Sequence, residues 1–358
     1  MEFESETKII ISSFGLIGIA FYGQHRFLKP SCYIKVGLKV FAEFMFTLFV
    51  LYNILSTNFY FRSVNPLFVV SKAMMSLSIL LLRLTILYKR KQILELITSL
   101  HKFLETYQKK PYKSNKKLLV CACLINVCVP LVGTTIFTVF YIKDYEDIEE
   151  DLKPDLLGLC SRRFHCERPL VFLINIIHAL HCFVTPSVCM TLFIFLYDTY
   201  QNALEQMLAE AALSLNSSLS LHNMSRTIGI VLKAAKVHKK IESVLSLSIF
   251  AIYVLVFVNF LNVMLVSFTY SDHPKSLFRL SGYCIIFLWT LSSFFKLTLT
   301  GSRLVEICEK WRIQQQEIVH NCATQRYKTD FDILANCWFF VFPTRSSFTA
   351  GNFGLTEV

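Results

Sequence analysis

Apolar runs of helix length punctuate this chain. The most extreme is 243–271, SVLSLSIFAIYVLVFVNFLNVMLVSFTYS, which holds 29 residues without one Asp, Glu, Lys or Arg. About 20 apolar residues suffice to cross a hydrocarbon core of about 30 Å. An amphipathic helix of a soluble protein keeps a polar face, and this run has none. The pattern therefore predicts a membrane span. Five further runs follow the same template, at 38–61, 65–88, 118–142, 169–197 and 278–300. Those at 118–142 and 169–197 are free of charge; the others carry Glu43, the pair Lys72 and Arg83, and Lys296. The run from Ile9 to Tyr22 is shorter, is broken by Gly15, Gly18 and Ser12-Ser13, and follows the acidic MEFESE. It lacks the positive flank of a signal peptide and predicts an interfacial or membrane-embedded lead-in rather than a span.

Between the runs the pattern changes to an amphipathic helical period. Ala203, Leu204, Met207, Leu208, Ala211 and Ala212 form one stripe, residues 226–242 are helical and basic, and 304–322 repeats the stripe with Leu304, Ile307, Cys308, Trp311 and Ile318. The expectation is that the last three spans continue as helices beyond the membrane and pack on one another; the alternative is amphipathic helices lying on its surface. The fold class is then all-α: a polytopic bundle of six spans over 38–300, an N-terminal segment 1–37, and a region 301–358 with a helix and the start of a further element.

Composition sharpens this picture. Hydrophobic residues make up 54% of the 358, charged residues only 17%, and the mean hydropathy is +0.49. The net charge of +11 is explained by loop placement, which removes nucleic acid as a partner. Lys and Arg number 25 on the side of the N-terminus, nine of them in 89–117, against 8 on the other. The positive-inside rule puts the N-terminus in the cytoplasm. The acidic loop KDYEDIEEDLKPD then lies outside with Cys160 and Cys166, a candidate disulfide in an oxidising compartment. The sequons at Asn216 and Asn223 fall on the inner side, where they are not glycosylated. Most other cysteines sit in apolar runs and read as small hydrophobes.

Catalytic signatures are missing: there is no HExxH, GxSxG, Walker lysine loop or Rossmann glycine pattern. His178 and His181 lack an evident third metal ligand. The expectation is a protein that is not an enzyme and has no cofactor or metal. Intramembrane polar groups carry the functional information instead. Glu43, Arg83 and Lys296 lie near the ends of their runs, where long basic side chains snorkel to headgroups. Lys72 lies about 10 Å inside the opposite face and must point into the bundle. Asn175 and His178 share one helix face, as do Asn259 and Asn262. With Tyr283, Trp289 and Lys72 they are the candidate lining of a cavity for a small organic ligand. The alternative is that these groups only hydrogen-bond helix to helix.

The C-terminal string FTAGNFGLTEV resembles the segment before the last helix of arthropod gustatory and odorant receptors. The inferred topology, the Phe-rich bundle, the short outer loops and the long inner helices are similar to that family across nearly the whole chain. The resemblance implies a seven-helix ligand-gated cation channel for small tastants. It implies four subunits, identical or mixed, joined through the cytoplasmic helices at the cell membrane, with ligand held in the outer half of each bundle. The family's last helix, with a Thr-Tyr start and a late Gln-Phe pair, has no counterpart before Val358. A non-conducting modulatory subunit is therefore the second expectation. A G-protein-coupled receptor needs the opposite orientation. A transporter would show an internal repeat with broken helices, and no repeat is visible.

Overall fold

The computed structural model describes residues 2–17, 19, 66–107, 116–143, 167–217, 221–269 and 276–324, with single helical positions between 37 and 52. Most of the first predicted span, Glu43, the loop with Cys160 and Cys166, and the C-terminal string lie outside the described residues. Those described form helices throughout: α1 (Glu2–Leu16), α2 (Pro66–Tyr107), α3 (Lys116–Lys143), α4 (Glu167–Ala179), a π-turn (Leu180–Val184), α5 (Thr185–Ser217), α6 (Leu221–Thr269) and α7 (Ser276–Thr324). Four of the helices are long and apolar enough to cross a membrane, through Leu119–Val139, Phe172–Leu213, Gly229–Leu265 and Cys284–Gln314.

Helix α5 is the centre of the bundle. The apolar window within Phe172–Leu213, the stretch that runs through α4 and the π-turn into α5, is 83% buried, against 22% in α3 and α7. Val188, Leu192, Phe193, Leu196, Tyr200 and Leu204 pack in one cluster with Leu82 and Ile86 of α2, Leu245 and Ile252 of α6, and Leu304 and Trp311 of α7. The lead-in takes a deeper place than its composition suggests. Helix α1 begins at Glu2, and Ile10 and Phe14 are fully buried in that same cluster.

Helix α2 is antiparallel to α6 over a long seam. Ser71 hydrogen-bonds Asn262 at one end, and Lys89 Nζ donates to the Ser243 carbonyl at 2.6 Å nearer the other. The segment 89–117, expected to be a loop because of its nine cations, is helical as far as Tyr107. The physical reason is a continued apolar stripe. Ile93, Leu96, Leu100, Phe103 and Leu104 are buried at helical spacing, and the cations take the other faces.

Helices α3 and α7 meet through glycine. A Cβ on Gly282 would lie 2.7 Å from the Gly133 carbonyl oxygen and 2.9 Å from Phe137 Cβ; one on Gly133 would lie 2.8 Å from Ile286 Cγ1. The backbones approach as only small residues permit. One turn before Gly133, Pro130 sits inside α3. Asn126 Nδ2 donates to Thr191 Oγ1, which donates on to the Ser187 carbonyl at 2.9 Å, so a polar relay joins α3 to α5.

The long helices continue past their apolar sections and pack together, as the sequence pattern predicts. Tyr200 donates to the Ala234 carbonyl at 3.0 Å, Gln201 Nε2 donates to the Thr300 carbonyl, and Trp311 is buried. Arg303 pairs with Glu205 at 3.2 Å, an exposed contact of about 1 kcal/mol or less.

Candidate functional site

Span 169–197, in which Pro186 is the one sequence signal for a break, is interrupted by the π-turn at Leu180–Val184. Pro186 accounts for its position. In a regular α-helix the proline ring meets the carbonyl four residues back, here that of Cys182. A wider turn just upstream relieves this crowding. The Thr185 amide reaches the Leu180 carbonyl, and Thr185 Oγ1 donates to it at 3.0 Å. Turns of this kind are frequent at functional positions.

The π-turn carries His181 into the interior, where an aromatic nest surrounds it. Phe46 and Phe49 lie at centroid distances of 5.2 and 5.0 Å from the His181 ring. His178 stacks edge-on against Phe49 at 5.6 Å and Phe183 at 6.1 Å. Arg83 approaches this nest from α2. Its guanidinium carbon sits 4.2 Å from the Phe46 centroid, and Nη1 donates to the Ile17 carbonyl just beyond α1 at 2.8 Å. Arg83 is wholly buried. The expectation that it snorkels to headgroups is thus corrected: a π-face and a carbonyl at the end of α1 hold it inside. Lys296, by contrast, is exposed.

Phe46 and Phe49 of the nest belong to a second apolar cluster that also includes Met75, Ile79, Cys182, Leu255, Val258 and Ile286. It joins α2, the end of α4, the π-turn, α6 and α7; α2, α4, α6 and α7 carry the predicted polar residues. Asn262 accepts from Ser71 and donates to Met75 Sδ at 3.8 Å, so it ties α6 to α2. Asn259, one turn away, is buried beside Val258, and its Nδ2 has no partner among the described residues. Trp289 Nε1 and His181 Nδ1 are likewise buried without a partner there. Asn175 and His178 are half-buried on α4. Lys72 and Tyr283 are helical positions of α2 and α7 whose side chains lie outside the description.

Arg83, His181, Phe46 and Phe49 are the residues the candidate lining did not include. A signal for Arg83 was present. Ile79, Leu82, Arg83 and Ile86 recur at helical spacing, and all four are buried. For Phe46 and Phe49 no comparable signal exists in a chain with 33 Phe. No family model matches the chain, and no curated protein matches it.

Proposed function

We propose that this protein is a chemosensory membrane receptor, a subunit of a ligand-gated cation channel with six spans in 38–300 and a cytoplasmic N-terminus. Its ligand is a neutral small organic molecule. The single observation that carries the reading is the second apolar cluster, whose Phe46 and Phe49 pack on the His181 ring, taken with buried nitrogens of Asn259, Trp289 and His181 that have no partner among the described residues. Buried polar groups in native proteins find partners with few exceptions. A binding site for a small molecule combines an apolar wall with a few such groups. The resemblance of FTAGNFGLTEV and of the inferred topology to gustatory receptors supplies the gating function and the tetrameric assembly. The alternative of a non-conducting modulatory subunit shares the ligand site and differs only in current.

The test is a dose–response series on cells expressing the full chain, alone and with other receptor subunits, read as cation current. Asn259→Ala and Trp289→Phe should each raise the half-maximal concentration by about two- to tenfold, the value of one neutral hydrogen bond, at unchanged surface expression. Identical curves for both variants and the parent would refute the site. A ligand-dependent stability shift without current would favour the modulatory form.

A further inference from the structure

Charge on this protein is concentrated where α2 and α6 leave their apolar sections. The charge-free part of α6 begins at Ser243. The two turns before it carry Lys236, Lys239 and Lys240, and α2 carries Lys89, Arg90 and Lys91 at the matching level. Two contacts set that level. Lys89 Nζ donates to the Ser243 carbonyl at 2.6 Å, and Lys240 Nζ donates to Ser99 Oγ at 3.0 Å. In an antiparallel pair this puts Arg90 and Lys91 beside the turn Lys239–Ser243. Lys236, Lys240 and Ser243 share one face of α6 at helical spacing, and Lys240 and Ser243 show that this face meets α2. Arg90, Lys91, Lys236 and Lys239 are exposed. Glu95 and Glu242 are the carboxylates nearest in sequence, so six cations face two acids.

Loop cations that merely orient a membrane protein need no fixed spacing. Here they sit on two helices pinned to each other, so their spacing is set by the backbone. Lys89 and Lys240 are occupied in holding the seam, and burial lowers the proton affinity of Lys89. Of the four exposed cations Lys239 is partly offset by Glu242 one turn away, and the surplus positive charge is left for an external anion. Their height, within two turns of the charge-free section, is that of lipid headgroups. Clusters of four to eight Lys and Arg in this position attract anionic lipids.

We infer that the α2–α6 seam is a binding site for the multiply phosphorylated headgroup of an anionic membrane lipid, with Arg90, Lys91, Lys236 and Lys239 as its phosphate ligands. The site rests on the membrane reading of α6 and is independent of ligand gating.

The experiment uses the full-length protein in neutral detergent micelles and a fluorescent short-chain phosphatidylinositol bisphosphate, read by anisotropy. The variant R90Q/K91Q/K236Q/K239Q should bind at least about tenfold more weakly. A control, K310Q/R312Q, neutralises α7 cations already paired with Glu306 and Glu309 at 2.7 Å, and should bind like the parent. Phosphatidylserine should compete poorly, and free inositol trisphosphate less well than the lipid. Equal binding by parent and fourfold variant overturns the site. Equal competition by phosphatidylserine overturns it in favour of diffuse surface charge, and full competition by the free headgroup overturns the lipid as its occupant. If the fourfold variant does not fold, the exposed pair K236Q/K239Q decides: a loss of about threefold or more supports the site, and no loss overturns it.

Discussion

Arg83 shows how a residue that belongs outside a bilayer by type is kept inside this bundle by its neighbours. A charge–carbonyl hydrogen bond contributes about 1.5–3 kcal/mol, and a desolvated cation–π contact about 2 kcal/mol. Arg83→Ala removes both and leaves the Ile17 carbonyl without this donor, so a loss of roughly 2–4 kcal/mol is expected. It should appear as a lower thermal midpoint of the detergent-solubilised protein, with part regained in Arg83→Lys, which keeps the charge but not the planar fork. An unchanged midpoint for the alanine variant would show that the nest does not stabilise the bundle. Asn262 sets a smaller scale. Interhelical hydrogen bonds in membrane proteins average about 0.6 kcal/mol with a maximum near 1.7, and Asn262→Ala should lose an amount in that range by the same assay. Its contacts with Ser71 and Met75 favour the helix-to-helix role for this residue, whereas the Asn259 Nδ2 has no partner among the described residues. The sequence placed the two asparagines on one face and could not separate them, because what distinguishes them is the partner on α2.

Among the helices, the crossing of α3 and α7 makes the sharpest contrast. Gly282→Ala puts a methyl 2.7 Å from a backbone oxygen and 2.9 Å from Phe137 Cβ, and Gly133→Ala meets Ile286. Neither backbone can yield without moving a helix, so each change should cost about 1–3 kcal/mol. Gly301→Ala is the internal comparison. Nothing lies within 4 Å of its added methyl, and a helical Gly→Ala change should stabilise by up to about 1 kcal/mol. Thermal midpoints that fall for the first two variants and hold or rise for the third would confirm the crossing; a uniform response would not. Gly133 stood out beside Pro130 as a break in its run, but nothing in the sequence paired it with Gly282, since the two lie 149 positions apart. The π-turn was half legible. Pro186 announced a break in the span, but the turn's length and the direction it gives His181 depend on packing against Phe46 and Phe49.

At the scale of the molecule, the bundle has a basic end and an apolar middle. The long helices α2, α6 and α7, of 42, 49 and 49 residues, reach well past a hydrocarbon core of about 30 Å at about 1.5 Å per residue. The proposed orientation rests on the charge bias, and glycosylation tests it. Asn216 and Asn223 should stay unmodified in cells, while a sequon introduced in 144–166 should be glycosylated. The reverse pattern would invert the topology and with it the side from which ligand enters.

Hydropathy and periodicity were enough to determine an all-helical bundle, the four stretches long and apolar enough to cross a membrane, and the continuation of the last three helices, because these depend on local composition repeated over many residues. The burial of α1, the persistence of α2 through its cations and the interior place of Arg83 were decided only by the tertiary structure. Each turns on which face of one helix meets which face of another. A buried charge is tolerated where a distant ring and a distant carbonyl happen to converge, and that convergence is a property of the packed bundle rather than of any one stretch of the chain.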